Sequence, residues 1–204
     1  MAFVEDSLVA DDKTLAFYAA HAADYVRHGA DQPNLRLQGF LDKLPEAARI
    51  LELGSGSGRD AAAMLARGFD VQATDASPEL AAEAEKRLGR PVAILRFDQL
   101  DVQADYDAVW ANASLLHAPA AELSADLRRI HAALRPGGLF TASFKAGTGE
   151  GRDSLGRYYN YPAPKTLLAH YAAAAAWSSV ELETVNGSGY DRLPTQWLWV
   201  TARR

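Results

Sequence analysis

The stretch ILELGSGSGRDAAAML, residues 50–65, constrains this chain more than any other part of it. An apolar run stops at three glycines on alternate positions, and a run of helix formers follows at once. Gly54, Gly56 and Gly58 allow a sharp turn and admit a ligand close to the backbone. The start of the next helix aims unpaired N–H groups into the same space. A strand-to-helix turn of this kind belongs to an open α/β sheet, in which ligands lodge beyond the carboxyl ends of the strands.

The flanking pattern agrees. Strands are expected at 49–53, 69–75, 91–97, 106–112 and 139–145, and helices at 59–67, 77–88 and 119–134. Ser77 caps the second of these helices with Pro78 at its first position, and RPGG at 135–138 ends the third. Alternating strands and helices imply a mostly parallel sheet covered on both faces. Helices are expected ahead of it at 12–28 and 34–44, and a further one at 164–176. SSVELETV and TQWLWVTA then alternate as strands with only a Gly-rich link between them, so they pair antiparallel. The expectation is an α/β, doubly wound, Rossmann-like sheet of seven strands, with one antiparallel strand near the edge and extra N-terminal helices. Within one domain, 1–45 form a helical cap, 46–145 the cofactor-binding core, 146–164 a substrate lid, and 165–204 the last helix and strand pair. Trp197 and Trp199 share a face of the final strand, expected to pack under helices.

Composition narrows the chemistry. With no cysteine among 204 residues, disulfides, thiolate metal sites and cysteine nucleophiles are impossible. No metal-ligand spacing occurs either. The net charge is −5 without a basic run, which argues against a nucleic-acid partner. MAFVEDSLVADDK lacks the features of a signal peptide and no apolar run reaches a membrane span, so the expectation is a cytoplasmic protein without a membrane partner.

Two ligands compete for the glycine turn. A nicotinamide or flavin site wants G-x-G-x-x-G and an acidic residue about 20 positions on. Here Arg59 takes the sixth position, and Glu52 stands two residues before the first glycine. A carboxylate there suits an amine-bearing ligand better than a pyrophosphate. LELGSGSG resembles motif I of the class I S-adenosylmethionine-dependent methyltransferases. ATDAS, RFDQL, YDAVWANASLLHAP and ALRPGGLFTASFK extend the resemblance over nearly the whole chain. Within that family the chain looks like the small bacterial proteins called tellurite-resistance-like.

The resemblance implies S-adenosylmethionine as cofactor and methyl transfer to a small-molecule acceptor. Gly54, Ser55, Gly56 and Gly58 pass along its methionine part, with Glu52 orienting the turn or the amino group. Asp75 takes the ribose hydroxyls, Ala76 and Ser77 lie beside the adenine, and Asp98 (rather than Asp101) accepts from the adenine amine. Asn112 lies near the methyl group. Tyr18 and Tyr25, seven residues apart on one helical face, either pack on the sheet or close over the cofactor. His117 is a candidate general base, with Tyr18 as a second catalytic candidate. The loop at 145–164 is long for a compact domain, and such loops often form binding lids. Its Lys145, Arg152, Arg157, Tyr158 and Tyr159 are the substrate candidates, and the arginines favour an anionic acceptor. The rival readings are a nicotinamide-dependent oxidoreductase and a non-catalytic S-adenosylmethionine-binding module.

Overall fold

A computed structural model describes residues 11–28 and 34–204. The remainder of the N-terminal segment, including MAFVEDSLVA, lies outside the described residues. Helix α1 spans Asp12–His28 and α2 spans Leu35–Leu41, the latter capped by Asn34, whose Oδ1 accepts from the backbone of Arg36 and Leu37. There follow β1 (Arg49–Leu53), α3 (Arg59–Ala66), β2 (Asp70–Asp75), α4 (Pro78–Leu88), β3 (Ala93–Ile94), β4 (Tyr106–Ala111), α5 (Ala120–Ala133) and β5 (Leu134–Lys145). A small hairpin, β6 (Gly151–Arg152) and β7 (Tyr158–Tyr159), leads to α6 (Pro164–Ala174), β8 (Ser179–Ser188) and β9 (Pro194–Arg203). Among the described residues no helix is long and apolar enough to cross a membrane.

Seven strands form one sheet in the order β3-β2-β1-β4-β5-β9-β8. All neighbours are parallel except the two pairings of β9, which runs against both β5 and β8. The central strands bury both faces, as their near-continuous apolar sequence requires. Leu51, Leu53, Val109, Phe140 and Phe144 face α5 and α6, meeting Leu127, Ile130, Leu167 and Tyr171. Ile50, Ala108 and Trp110 face the other way, against Phe40 of α2, Met64 of α3 and Ala84 of α4. The chain winds outward from β1 through β2 to β3 and then crosses back to β4. That reversal leaves a crevice at the carboxyl ends of β1 and β4.

Several local expectations change. The strand expected at 91–97 pairs only through Ala93 and Ile94, because it is an edge strand after Pro91 and Ile94 is 60% exposed. Its end instead turns through a short 3₁₀ segment, Phe97–Gln99. RPGG does not form a free turn after α5. Tyr106 pairs with Leu134, and Gly137 N donates to the Arg204 carbonyl at 2.9 Å, so β5 starts five residues early. The tryptophans of β9 are half-covered rather than packed under a helix layer. The buried face holds Leu198, Val200 and Ala202, while Trp199 leans on Trp110 with the Arg36 guanidinium of α2 above it.

Candidate functional site

The glycine turn is held from below by β2. Gly54 N and Ser55 N both donate to the Thr74 carbonyl, at 3.0 and 2.8 Å. Gly54 has φ +77°, and a Cβ on it would sit 2.5 Å from Ser114 Cβ, so two loops approach more closely here than any side chain allows. A Cβ on Gly58 would lie 3.1 Å from Ala84 Cβ, so this glycine lets α3 and α4 close together. Gly56 N donates to Asp75 Oδ2 at 2.8 Å, tying the turn to the end of β2.

Above this turn lies a cavity of about 290 Å³. Gly54 and Gly56 line it after β1, Asp75 and Ala76 after β2, Phe97 and Asp98 after β3, and Asn112 to His117 after β4. Asp75 Oδ1 accepts from Ser77 N at 2.9 Å. The Ala76 N–H is a third backbone donor to this carboxylate. Burial pushes the Asp75 carboxyl up to about 6, against the pull of the Ser77, Gly56 and Ala76 N–H groups. Ser77 itself is buried as the N-cap of α4, its Oγ accepting from Leu80 N at 3.3 Å.

Glu52 does not line the cavity. It sits beneath the turn, 3% exposed, with Oε2 unpartnered among the described residues. Burial, then Asp60 and Asp75, hold its carboxyl well above the usual range. Ser55 Oγ and Ser114 Oγ are likewise buried and unpartnered. Such polar atoms are costly to bury without partners. Of the three residues, Ser114 lines the cavity, where its hydroxyl is open to a ligand, while Glu52 and Ser55 lie outside the cavity lining.

Asp60, which the sequence did not single out, organises the floor. Its Oδ2 accepts from Trp110 Nε1 at 3.0 Å, Asn112 Nδ2 at 3.1 Å and Asn34 Nδ2 at 3.1 Å. Asn112 Oδ1 accepts from Ser143 Oγ at 2.9 Å, and Ser143 Oγ accepts from Ala113 N at 2.8 Å. One N–H and the carbonyl oxygen of the Asn112 amide are thus held by the protein, and the residue shapes the cavity wall.

Across the cavity, α1 lays Tyr18 and Tyr25 over the turn. Tyr25 is the residue nearest to the space beside Gly56 and stacks on Tyr190 of the β8–β9 link at 5.4 Å. His117 Nδ1 faces the Tyr158 carbonyl at 2.6 Å, which places the ring proton there. Its Nε2 accepts from the Tyr18 hydroxyl at 2.9 Å. Burial drives His117 down to about 4, so the ring is neutral at ordinary pH. Tyr18 Oη in turn accepts from Arg157 Nη1 at 3.2 Å.

The substrate candidates separate into different roles. Arg157 is only 1% exposed and does not line the cavity. Its guanidinium pairs with Asp153 at 2.7 Å and lies among the rings of Phe17, Tyr18, Tyr159 and Tyr190, at 5.1 to 5.8 Å. Arg152 pairs with Asp11, holding that carboxyl down at about 2. Both arginine charges are therefore balanced inside the protein, which removes the basis for expecting an anionic acceptor. Tyr158 contributes its backbone: its N–H donates to Thr14 Oγ1 at 2.8 Å, while its hydroxyl donates to Glu150 outside the cavity. Tyr159 lies tilted against His117, ring centroids 4.5 Å apart, and carries the Lys145 ammonium over its ring at 4.5 Å. Asp98 lines the cavity, but its carboxylate accepts from Arg96 Nε at 3.1 Å and Nη2 at 2.9 Å. Asp101 lies outside the cavity. No group of His, Asp or Glu among the described residues could hold a metal ion.

Residues 50–138 match a protein family described as methyltransferase domain. Hemagglutinin 1 of Eikenella corrodens is 32% identical over 123 residues, which make up 57% of this chain and 41% of that protein. The chain thus spans less than half the length of this curated relative. Among solved structures, the 1,6-didemethyltoxoflavin-N1-methyltransferase of Burkholderia thailandensis has a TM-score of 0.72 and 27% identity, over 94% of this chain and 87% of that one. It was solved with 1,6-didemethyltoxoflavin and S-adenosylhomocysteine bound. The CcbJ methyltransferase of Streptomyces caelestis has a TM-score of 0.69 at 20% identity, over 95% of this chain and 99% of that one, a likeness of fold. Residues 50–138 are thus similar to a methyltransferase domain, and the fold as a whole is similar to solved methyltransferases.

Proposed function

We propose that the protein binds S-adenosylmethionine in the cavity at the β1/β4 switch point and passes its methyl group to a small, largely uncharged acceptor beside His117 and Tyr18. The observation that carries this is the glycine turn itself, which lines the cavity through Gly54 and Gly56, faces the unpartnered Ser114 hydroxyl and is joined to Asp75 by Gly56 N. The turn and the Ser114 hydroxyl suit the amino-acid tail. The acceptor site that Asp75 keeps beside its three backbone donors suits a ribose hydroxyl. The bound Burkholderia thailandensis enzyme, holding a small acceptor and S-adenosylhomocysteine together, supports the same reading. Kinship with the tellurite-resistance-like proteins is part of the proposal and assigns no acceptor. The acidic chain, without a basic patch, supports no nucleic-acid partner.

Bound S-adenosylmethionine supplies an electrophilic methyl carbon. The protein's part is alignment and exclusion of water. Helix α1 and the 146–164 segment provide the cover, joined by Arg152–Asp11, Tyr158 N–Thr14 and Arg157–Tyr18. Tyr18 and His117 form a short proton path. Tyr18 Oη takes a proton from the acceptor while its own proton passes to His117 Nε2. With His117 held near 4, this path serves only acceptors whose proton becomes strongly acidic on methylation, such as the N–H of an electron-poor heteroaromatic ring.

Calorimetry against S-adenosylmethionine, S-adenosylhomocysteine and NAD tests the cofactor, and methyl transfer to an acceptor panel tests the activity. Binding of NAD with no binding of the adenosyl compounds overturns the proposal.

A further inference from the structure

The end of the cavity away from the glycine turn contains a second carboxylate with no hydrogen-bond partner among the described residues. Asp126 lies on the inner face of α5, between Leu123 and Ile130, where an aliphatic residue would continue the apolar stripe. It is 5% exposed and lines the cavity next to Phe97, Asp98 and Arg129. Burial raises its carboxyl to about 7; Arg129 opposes the rise, and Asp98 and Glu122 add to it, with no hydrogen bond contributing. A buried carboxylate without a donor is costly and calls for a ligand group that donates.

The sheet order says which part of the ligand arrives there. With the amino-acid tail at the β1 turn and the ribose at Asp75 on β2, the base extends toward Phe97 and Asp98 beyond β3. Helix α5 packs against this 3₁₀ segment, with Arg129 Nε donating to the Asp98 carbonyl at 2.9 Å. Three carboxylates reach this end. Glu122 is exposed to water. Asp98 is at the rim, its side chain 37% exposed and already gripped by Arg96 through two hydrogen bonds. Asp126 alone is both buried and uncommitted.

We propose that Asp126, rather than Asp98, accepts the hydrogen bond from the exocyclic amine of the adenine and so selects adenine in the cofactor. This rests on the S-adenosylmethionine reading above. The amine is the only donor on that edge of the base, and a carboxylate can only accept. The resemblance-based role of Asp98 passes to a residue on a different element, while Asp98 positions the 3₁₀ segment through Arg96 and Arg129.

The test is calorimetry with S-adenosylhomocysteine and with its analogue bearing hydrogen in place of the 6-amino group. The wild-type protein is expected to favour the amine by about tenfold or more, the range of a hydrogen bond to a charged group. Asp126→Ala removes that preference, and Asp98→Ala leaves it intact. Asp126→Asn keeps the shape and a neutral acceptor, so it folds as wild type by thermal unfolding and shows a reduced preference. A preference that survives in D126N and D126A, or that disappears in D98A instead, overturns the proposal. If the wild-type protein binds neither compound, the cofactor reading itself fails and takes this one with it.

Discussion

Replacing Asp75 by asparagine should stabilise the ligand-free protein above pH 6 while weakening its hold on S-adenosylhomocysteine. The carboxyl titrates at about 6 in the folded protein against 3.8 when unfolded, because burial outweighs three backbone donors. At 1.36 kcal/mol per tenfold change in proton affinity, the buried charge costs about 3 kcal/mol. Asparagine removes that cost but turns its NH₂ toward Gly56 N or Ser77 N, each within 2.9 Å of the present carboxylate, losing about 1–2 kcal/mol. The net gain is about 1–2 kcal/mol, or roughly 4 °C in Tm for a chain of this size. The sign follows from the raised pKa. Below pH 4 Asp75 is neutral in both states, so its stability contribution is intact. That contribution is lost as pH rises through 6, and the gap between variant and wild type opens between pH 4 and 6 and stays constant above. Thermal unfolding at pH 4.5, 5.5, 6.5 and 8 measures the gap. Calorimetry should show S-adenosylhomocysteine bound about tenfold more weakly, since one ribose hydroxyl loses its acceptor. A gap independent of pH, or unchanged affinity, would refute the reasoning.

Further outcomes are expected elsewhere in the site. Gly54→Ala should lower Tm by several degrees and abolish S-adenosylhomocysteine binding, because its Cβ meets Ser114; Gly68→Ala, also at positive φ but with open space around it, should show only the milder backbone strain, and equal effects of the two would count against the close-approach argument. Asp60→Ala should cost about 3 kcal/mol in urea unfolding, since Trp110, Asn112 and Asn34 all lose one acceptor; a loss below about 1 kcal/mol would show that water replaces it. His117→Asn and Tyr18→Phe should lower kcat and leave the S-adenosylhomocysteine Kd unchanged. With cofactor saturating, so that titration of Asp75 near 6 and Asp126 near 7 acts on its affinity, the wild-type kcat should be flat from pH 6 to 8 and fall toward pH 4 as His117 takes a proton; a kcat inflection near 6.5 that is lost in His117→Asn would contradict the buried, neutral imidazole.

Much of this was readable along the chain. Periodicity placed β1, α3, β2, α4, β4 and α5 to within a residue or two, since each is a local pattern of apolar spacing and capping. Local pattern failed where a distant segment decides. Pro91–Phe97 reads as a strand but lies at an edge, where only two residues pair. Arg135–Gly138 reads as a turn, yet Arg204 draws it into the sheet. Arg157 is a clear substrate candidate in a loop of arginines and tyrosines, until Asp153 and four rings from three elements enclose it.

Sequence alone determined the glycine turn, the winding of the sheet around it and the acid at the end of β2, because spacing along one short segment sets those features. Only the tertiary structure decided which polar groups remain available to a ligand. Asp60 and Asp126 read alike as helical acids in the sequence. One meets three donors contributed by two other segments, and the other faces the cavity with none among the described residues. Partnership between buried groups is a matter of contacts across the fold, and no spacing along the chain encodes it.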